Sequence, residues 1–233
     1  MASDKIRPPL VITIDGPAGA GKTTVSRTLA ERLGYRYVDT GALYRAVALA
    51  ALRAGLQADD DAGLERLCRR LNLAFAPASD GSARLLSDGS DVSDQLRSPE
   101  VTLMASAVSA RPPVRRGLLR LQRELGRNGG AVFEGRDMGT VVFPGADVKF
   151  FLDASPRTRA LRRFEEIHAK TGQSLAEIEA AIRQRDANDR TRALAPLRPA
   201  QDAIPVDSTD LTVDQVVDQM LTHVRRKTCR LPA

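Results

Sequence analysis

Apolar residues recur along this chain in two rhythms. Short, nearly continuous runs stand at Leu10–Ile14, Tyr35–Val38, Ala131–Glu134, Val148–Leu152 and Ala203–Val206, the pattern of strands covered on both faces. Between them the spacing lengthens to three and four residues. Val25, Leu29 and Leu33 fall on one face of a helix that stops at Gly34, and Leu43, Val47, Ala50 and Ala51 mark another over about 42–53. A helix capped near Asp61 carries Leu64, Leu67, Cys68 and Leu71 on its apolar face. Ser98-Pro99-Glu100 opens the next, Pro112-Pro113 breaks it, and a further helix runs from about Val114 to Leu125. Ser174 and Glu177 form a capping box, and Thr212 caps a last helix whose Val213, Val216, Val217, Met220, Leu221 and Val224 keep the helical period. Five apolar strands alternating with helices demand parallel pairing through crossovers. The pattern predicts an α/β fold, a five-stranded parallel sheet flanked by helices, with Pro205 marking an edge strand.

The rhythm changes at Asn72. From Leu73 to Val92 apolar residues alternate and break at Ser79-Asp80-Gly81 and Ser87-Asp88-Gly89, which predicts a small antiparallel meander. A second excursion, Pro156 to Arg192, is helical and crowded with arginine. We expect one domain over residues 1–233, its core at 10–71, 111–155 and 196–228, with an inserted region at 72–110 and an arginine-rich segment at 156–195. Met1 to Pro9 reads as a loose arm.

Composition narrows the chemistry. The net charge of +6 and 42% hydrophobic content suit a globular protein with anionic partners. Cys68 and Cys229 have no metal-ligand spacing, and a disulfide framework is not expected. His168 and His223 are isolated, which disfavours a zinc site or a Ser/His/Asp triad. No stretch has the length of a membrane span and no apolar leader opens the chain, so a cytoplasmic location is expected.

The sharpest signal follows the first strand. Gly16-Pro17-Ala18-Gly19-Ala20-Gly21-Lys22-Thr23 fits G-x-x-x-x-G-K-[ST] between a strand and a helix. Glycines let successive N–H groups converge, and the helix N-terminus adds partial positive charge. Lys22 is placed to reach β- and γ-phosphates, and the Thr23 hydroxyl to hold Mg²⁺. Arg45, Arg136, Arg159, Arg163, Arg185, Arg190 and Arg192 fall at loops or helix ends near the sheet's C-terminal edge. Arginines beside a phosphate loop suit transfer between two polyanions. An acceptor that is itself a phosphate monoester needs no general base, because it is mostly dianionic at neutral pH.

The strings Gly16–Thr24, Asp39-Thr40-Gly41-Ala42-Leu43-Tyr44-Arg45, Asp91-Val92-Ser93 with Arg97, Gly135-Arg136-Asp137-Met138-Gly139-Thr140, and Arg185-Asp186-Ala187-Asn188-Asp189-Arg190 with Arg192 together resemble bacterial cytidylate kinase. The resemblance runs from about Val11 to Val224. It implies transfer of the ATP γ-phosphate to CMP or dCMP with Mg²⁺. It implies that Gly16, Pro17, Ala18, Gly19, Ala20, Gly21, Lys22, Thr23 and Thr24 bind ATP together with Arg159 and Arg163. It places Thr40, Tyr44, Arg45, Gly135, Arg136, Arg185, Asp189 and Arg192 around the acceptor nucleotide, with Lys22, Arg136, Arg185 and Arg192 as the catalytic set. Ser106, Arg115 and Asp137 would read cytosine, whose N4 amine donates while N3 and O2 accept. It also makes 72–110 a nucleoside-monophosphate-binding region and 156–195 a lid. Asn188 and Thr40 depart from some relatives without loss of a hydroxyl or core arginine.

Two alternatives stay open at this point. Another P-loop small-molecule kinase, acting on UMP, a different nucleoside monophosphate or shikimate, shares the donor half. A nucleotide-dependent switch or RNA-binding NTPase is less favoured, because there is no Asn-Lys-x-Asp motif and no basic-aromatic stripe for single strands. The expected partners are ATP and CMP or dCMP, with no nucleic acid polymer and no membrane, acting as a monomer.

Overall fold

A computed structural model describes residues 9–78 and 83–230, with the side chains of all but 167–171, 229 and 230. The arm up to Pro8, the Ser79-Asp80-Gly81 turn and the side chains of His168 and Cys229 lie outside the described residues. The first half contains β1 (Val11–Asp15), α1 (Lys22–Leu33), β2 (Arg36–Asp39), α2 (Thr40–Arg53), α3 (Asp61–Arg70), β3 (Leu73–Pro77), β4 (Ala83–Ser87) and β5 (Ser90–Asp91). The second contains α4 (Pro99–Val108), α5 (Pro112–Gly126), β6 (Ala131–Gly135), β7 (Val148–Asp153), α6 (Pro156–Thr171), α7 (Leu175–Thr191), β8 (Ile204–Asp207) and α8 (Val213–Arg230). A π-helical turn, Met138–Val142, follows β6. The chain forms two compact units, one up to Val38 and from Gly126 onward, the other Asp39–Leu125.

The first unit is built on the five-stranded parallel sheet, in the order β2-β6-β1-β7-β8. Strand β1 is central and pairs in parallel with β6 and β7, Asp15 lying opposite both Gly135 and Phe151. Its Ile12 and Ile14 are fully buried, with Val132, Phe150 and Leu152 beside them and Leu29, Val217 and Met220 from the helices. Continuous apolar runs were therefore the right signature for strands covered on both faces. Strand β8 lies at the edge of the sheet, the position within sheets where a proline is tolerated.

The second unit pairs β3, β4 and β5 antiparallel. Asp88 and Gly89 both take positive φ, 50° and 82°, the tight turn whose twist suits a hairpin. Leu43, Val47, Leu64, Leu85, Val108 and Val114 form its core. Local interactions set the helix starts. Helix α2 starts at Thr40 because the Asp39 carboxylate accepts the Ala42 N–H. Asp60, one residue before Asp61, caps α3 through the Gly63 N–H. Pro112 and Pro113 open α5 instead of preceding it, since first-turn N–H groups have no intrahelical partner to lose.

Phe150, 1% exposed in the first core, leaves a cavity when truncated. Phe150→Ala is expected to lower unfolding stability by about 3–5 kcal/mol, measured by urea denaturation. Leu103→Ala, at a side chain 76% exposed, is expected to stay within about 0.5 kcal/mol.

Candidate active site

The phosphate loop is shaped by close approach. A Cβ on Gly16 would stand 1.9 Å from the Leu152 carbonyl oxygen, so only glycine lets the chain leave β1 so near β7. Gly21 takes φ 82° and precedes α1, whose N-terminus has no side-chain cap. Its first-turn N–H groups are thus not spent on a capping side chain, the arrangement that binds anions. Lys22, only 4% exposed, folds its Nζ onto the Pro17 carbonyl at 2.7 Å. The Thr23 hydroxyl donates to Glu134 Oε1 at 2.9 Å, while Glu134 Oε2 accepts the Tyr37 hydroxyl at 2.6 Å.

Two helices brace the loop. The Asp186 carboxylate of α7 accepts the Ala18 N–H at 3.4 Å. Arg159 of α6 donates to the Ala18 and Ala154 carbonyls, each at 2.9 Å, and pairs with Asp186. Arg162 donates to the hydroxyl and carbonyl of Ser208, whose hydroxyl lies 3.4 Å from the Ala20 carbonyl. Arg163 is exposed on α6 and pairs with Glu166.

Strand β6 ends beside β1 and delivers a second loop to the same sheet edge. Arg136 donates to Asp189 at 2.9 Å and to the Gly135 carbonyl at 3.2 Å. Arg192 donates to Asp137 at 3.4 Å and to the Ala195 carbonyl at 2.7 Å, and stands 3.8 Å from Asp189. Arg136, Asp189, Arg192 and Asp137 therefore form one chain of ion pairs. Burial, the neighbouring Arg136 and then Arg185 push the Lys22 amine down to about 7, with Glu134 and Asp15 opposing them. Burial pushes the Asp15 carboxyl up to about 6 although the Gly139 and Met138 N–H groups favour its charged form. Crowded cations with a depressed lysine are what a polyanion site requires.

Arg190, on α7, stands 3.8 Å from Asp153, while Thr40, Tyr44, Arg45, Ser106 and Arg115 lie in the second unit. Thr40 is buried at the start of α2, where Arg45 donates to Asp39 at 2.6 Å. Arg45 Nε is buried with no hydrogen-bond partner. The Arg115 guanidinium lies 5.7 Å from the centre of the Tyr44 ring and donates to the Ser109 carbonyl. The Ser109 hydroxyl in turn donates to the Ser106 carbonyl, so Ser106, Arg115 and Tyr44 share one neighbourhood.

The model of the family described as "Cytidylate kinase" matches residues 12–226. This chain belongs to the cytidylate kinase family. It is 51% identical over 220 residues to "Cytidylate kinase" of Citrifermentans bemidjiense, covering 94% of each chain. It is 46% identical over 218 residues to that of Pasteurella multocida, covering 93% of this chain and 96% of the relative. An uncharacterized protein from Eubacterium ventriosum, 12% identical, shares the fold at a TM-score of 0.51 over 93% of this chain and 98% of its own. As a cytidylate kinase the chain is an ATP-dependent phosphotransferase. No helix among the described residues is long and apolar enough to cross a membrane.

Sequence reasoning assigned no role to Asp15, Glu134, Asp186 or Ser208. Asp15 and Glu134 carried a signal, being carboxylates at or next to the C-terminal ends of buried strands, where ligands gather in open sheets. Asp186 and Ser208 meet the loop's backbone, a contact that residue spacing does not record.

Because the folded value of Lys22 lies below the ordinary 10.5, the unfolded chain holds the extra proton between about pH 7 and 10.5. Stability of the ligand-free protein therefore gains from this residue as pH rises through that window. A polyanion bound against Lys22 is expected to reverse the shift by supplying negative charge. At pH 8, ATP binding is expected to take up close to one proton, read as a buffer-dependent enthalpy in calorimetry, and Lys22→Met is expected to abolish the uptake.

Proposed function

We infer that this chain transfers the γ-phosphoryl group of ATP to CMP or dCMP, giving ADP and CDP or dCDP. The observation that carries the reading is Lys22 buried at the phosphate loop beside Arg136 and Arg185, in a chain of the cytidylate kinase family. Residues 16–24 hold the donor phosphates. Arg159 and Arg163 serve ATP from the 156–195 lid, Arg159 also through its grip on Ala18.

Thr40, Tyr44, Arg45, Gly135, Arg136, Asp137, Arg185, Asp189 and Arg192 are the residues that bind the acceptor nucleotide in this reading. The partnerless buried Nε of Arg45 supports the phosphate role, since a buried guanidinium donor without an acceptor is costly unless a ligand supplies one. Asp137, Ser106 and Arg115 read cytosine through donors and acceptors that uracil would mismatch. The 72–110 region belongs to acceptor binding.

Mg²⁺ fits the donors present. Among the described residues no cluster of His, Cys, Asp or Glu could hold a metal unaided, which suits an ion carried mainly by phosphate oxygens and water. Thr23 would hold it, its proton directed to Glu134 so that hydroxyl lone pairs face away from that bond. When bound, Mg²⁺ neutralises charge on the transferring phosphate. The chain's own residues do the rest: the loop amides and Lys22 fix the donor, the arginines draw the acceptor phosphate against it, and lid closure excludes water. No side chain has to remove a proton from the acceptor, because a phosphate monoester is already mostly dianionic.

Initial rates with ATP and each of CMP, dCMP, UMP, AMP and GMP test this reading. CMP and dCMP are expected to exceed AMP and GMP by about tenfold or more, as a mismatched buried edge costs roughly 1–3 kcal/mol; equal rates for CMP and AMP would overturn it. Lys22→Ala is expected to lower kcat about a hundredfold or more, the scale of losing one preorganised charge contact.

A further inference from the structure

The first amides of a helical turn have no partner within the turn, and an Asp at the preceding position normally supplies one with its own side chain. Asp137 occupies that position before the Met138–Val142 turn, with φ −144° and ψ 23°, yet makes no such bond. The acceptor comes from another strand. Asp15 Oδ1 accepts the Met138 N–H at 2.9 Å, and Asp15 Oδ2 accepts the Gly139 N–H at 2.7 Å. Both oxygens of one buried carboxylate are thus committed to two consecutive amides, a charge-assisted pair of bonds.

The geometry leaves little room for another arrangement. Asp15 lies opposite Gly135 in the β1–β6 ladder, two residues before Asp137. The turn packs directly against β1, where a Cβ on Gly139 would stand 3.1 Å from Thr13 Oγ1 and 3.4 Å from Asp15 Oδ2. Relieved of capping, the Asp137 carboxylate points instead to Arg192 at 3.4 Å. A self-capping Asp137 would curl back over its own turn and leave that partner.

We propose that Asp15 is a positioning residue for acceptor selection: by capping the Met138–Val142 turn from β1, it directs the Asp137 carboxylate to the nucleotide base. The proposal rests on the reading above in which Asp137 contacts cytosine. It also makes β1 a common origin for both halves of the site, since the residue after Asp15 opens the phosphate loop.

The test uses the full chain with Asp15→Asn, Asp15→Ala and Asp137→Asn. Asn is nearly isosteric, but its amide nitrogen faces one N–H that the carboxylate accepted. In NMR hydrogen exchange, Met138 and Gly139 amides of Asp15→Asn are expected to exchange about tenfold faster than in the parent protein, with Val132 and Phe133 unchanged. The KM for CMP is expected to rise about tenfold and the preference for CMP over UMP to narrow, while the KM for ATP stays within twofold. Asp15→Ala, if it folds, is expected to exceed Asn in both readouts. Exchange at Met138 and Gly139 within twofold of the parent overturns the proposal. So does an equal rise in KM for both substrates, or an unchanged base preference in Asp15→Asn when Asp137→Asn narrows it. If Asp137→Asn itself leaves the preference intact, base reading by Asp137 falls and the selection role falls with it, while the exchange data still decide whether Asp15 caps the turn.

Discussion

Parallel pairing of β1 with both β6 and β7 obliges the chain to leave all three strands at one edge of the sheet. The phosphate loop, the Gly135–Gly139 loop and the segment entering α6 therefore start from neighbouring positions. Arg136 and Asp15 thereby come within electrostatic range of Lys22. The cost is close quarters, visible where Gly16 passes the Leu152 carbonyl with no space for a side chain.

Charge at that edge is held in two ways. Arg136, Arg192 and Arg159 are matched by Asp189, Asp137 and Asp186 within 3.4 Å, and such largely buried pairs are weak evidence of added stability. Lys22 is held differently. Its amine rests on a backbone carbonyl, beside arginines and with only partial compensation from Glu134 and Asp15. A site of this kind gains most from a ligand that carries several negative charges, which links the depressed lysine to phosphoryl transfer.

The helices of the 156–195 segment, α6 and α7, combine two features. Their arginines supply charge, yet Arg159 and Asp186 spend their donors and acceptors on Ala18 and on each other. The phosphate loop is thus braced from outside by the segment that the family resemblance assigns to covering it. In the second unit Asp39 does similar double duty, capping α2 and holding Arg45.

Much was legible in the chain alone. Short apolar runs and helical spacing report burial directly, so five parallel strands, the antiparallel meander, the edge position of Pro205 and the Ser174 capping box could all be read. The glycine loop and the Asp39–Arg45 and Gly135–Thr140 strings pointed to the family that the chain belongs to, because phosphate binding needs particular residues at particular spacings. Element ends were less legible: a proline pair can stop a helix or begin one, and only the local backbone decides which. What only the tertiary structure decided are the partnerships between residues far apart in sequence, Asp15 with Met138 and Gly139, Thr23 with Glu134, and Ala18 with Arg159 and Asp186. Those depend on strand order and on which helix packs over which loop. Residue spacing records what a segment buries and how it turns, but carries no record of the distant group that its polar atoms will meet.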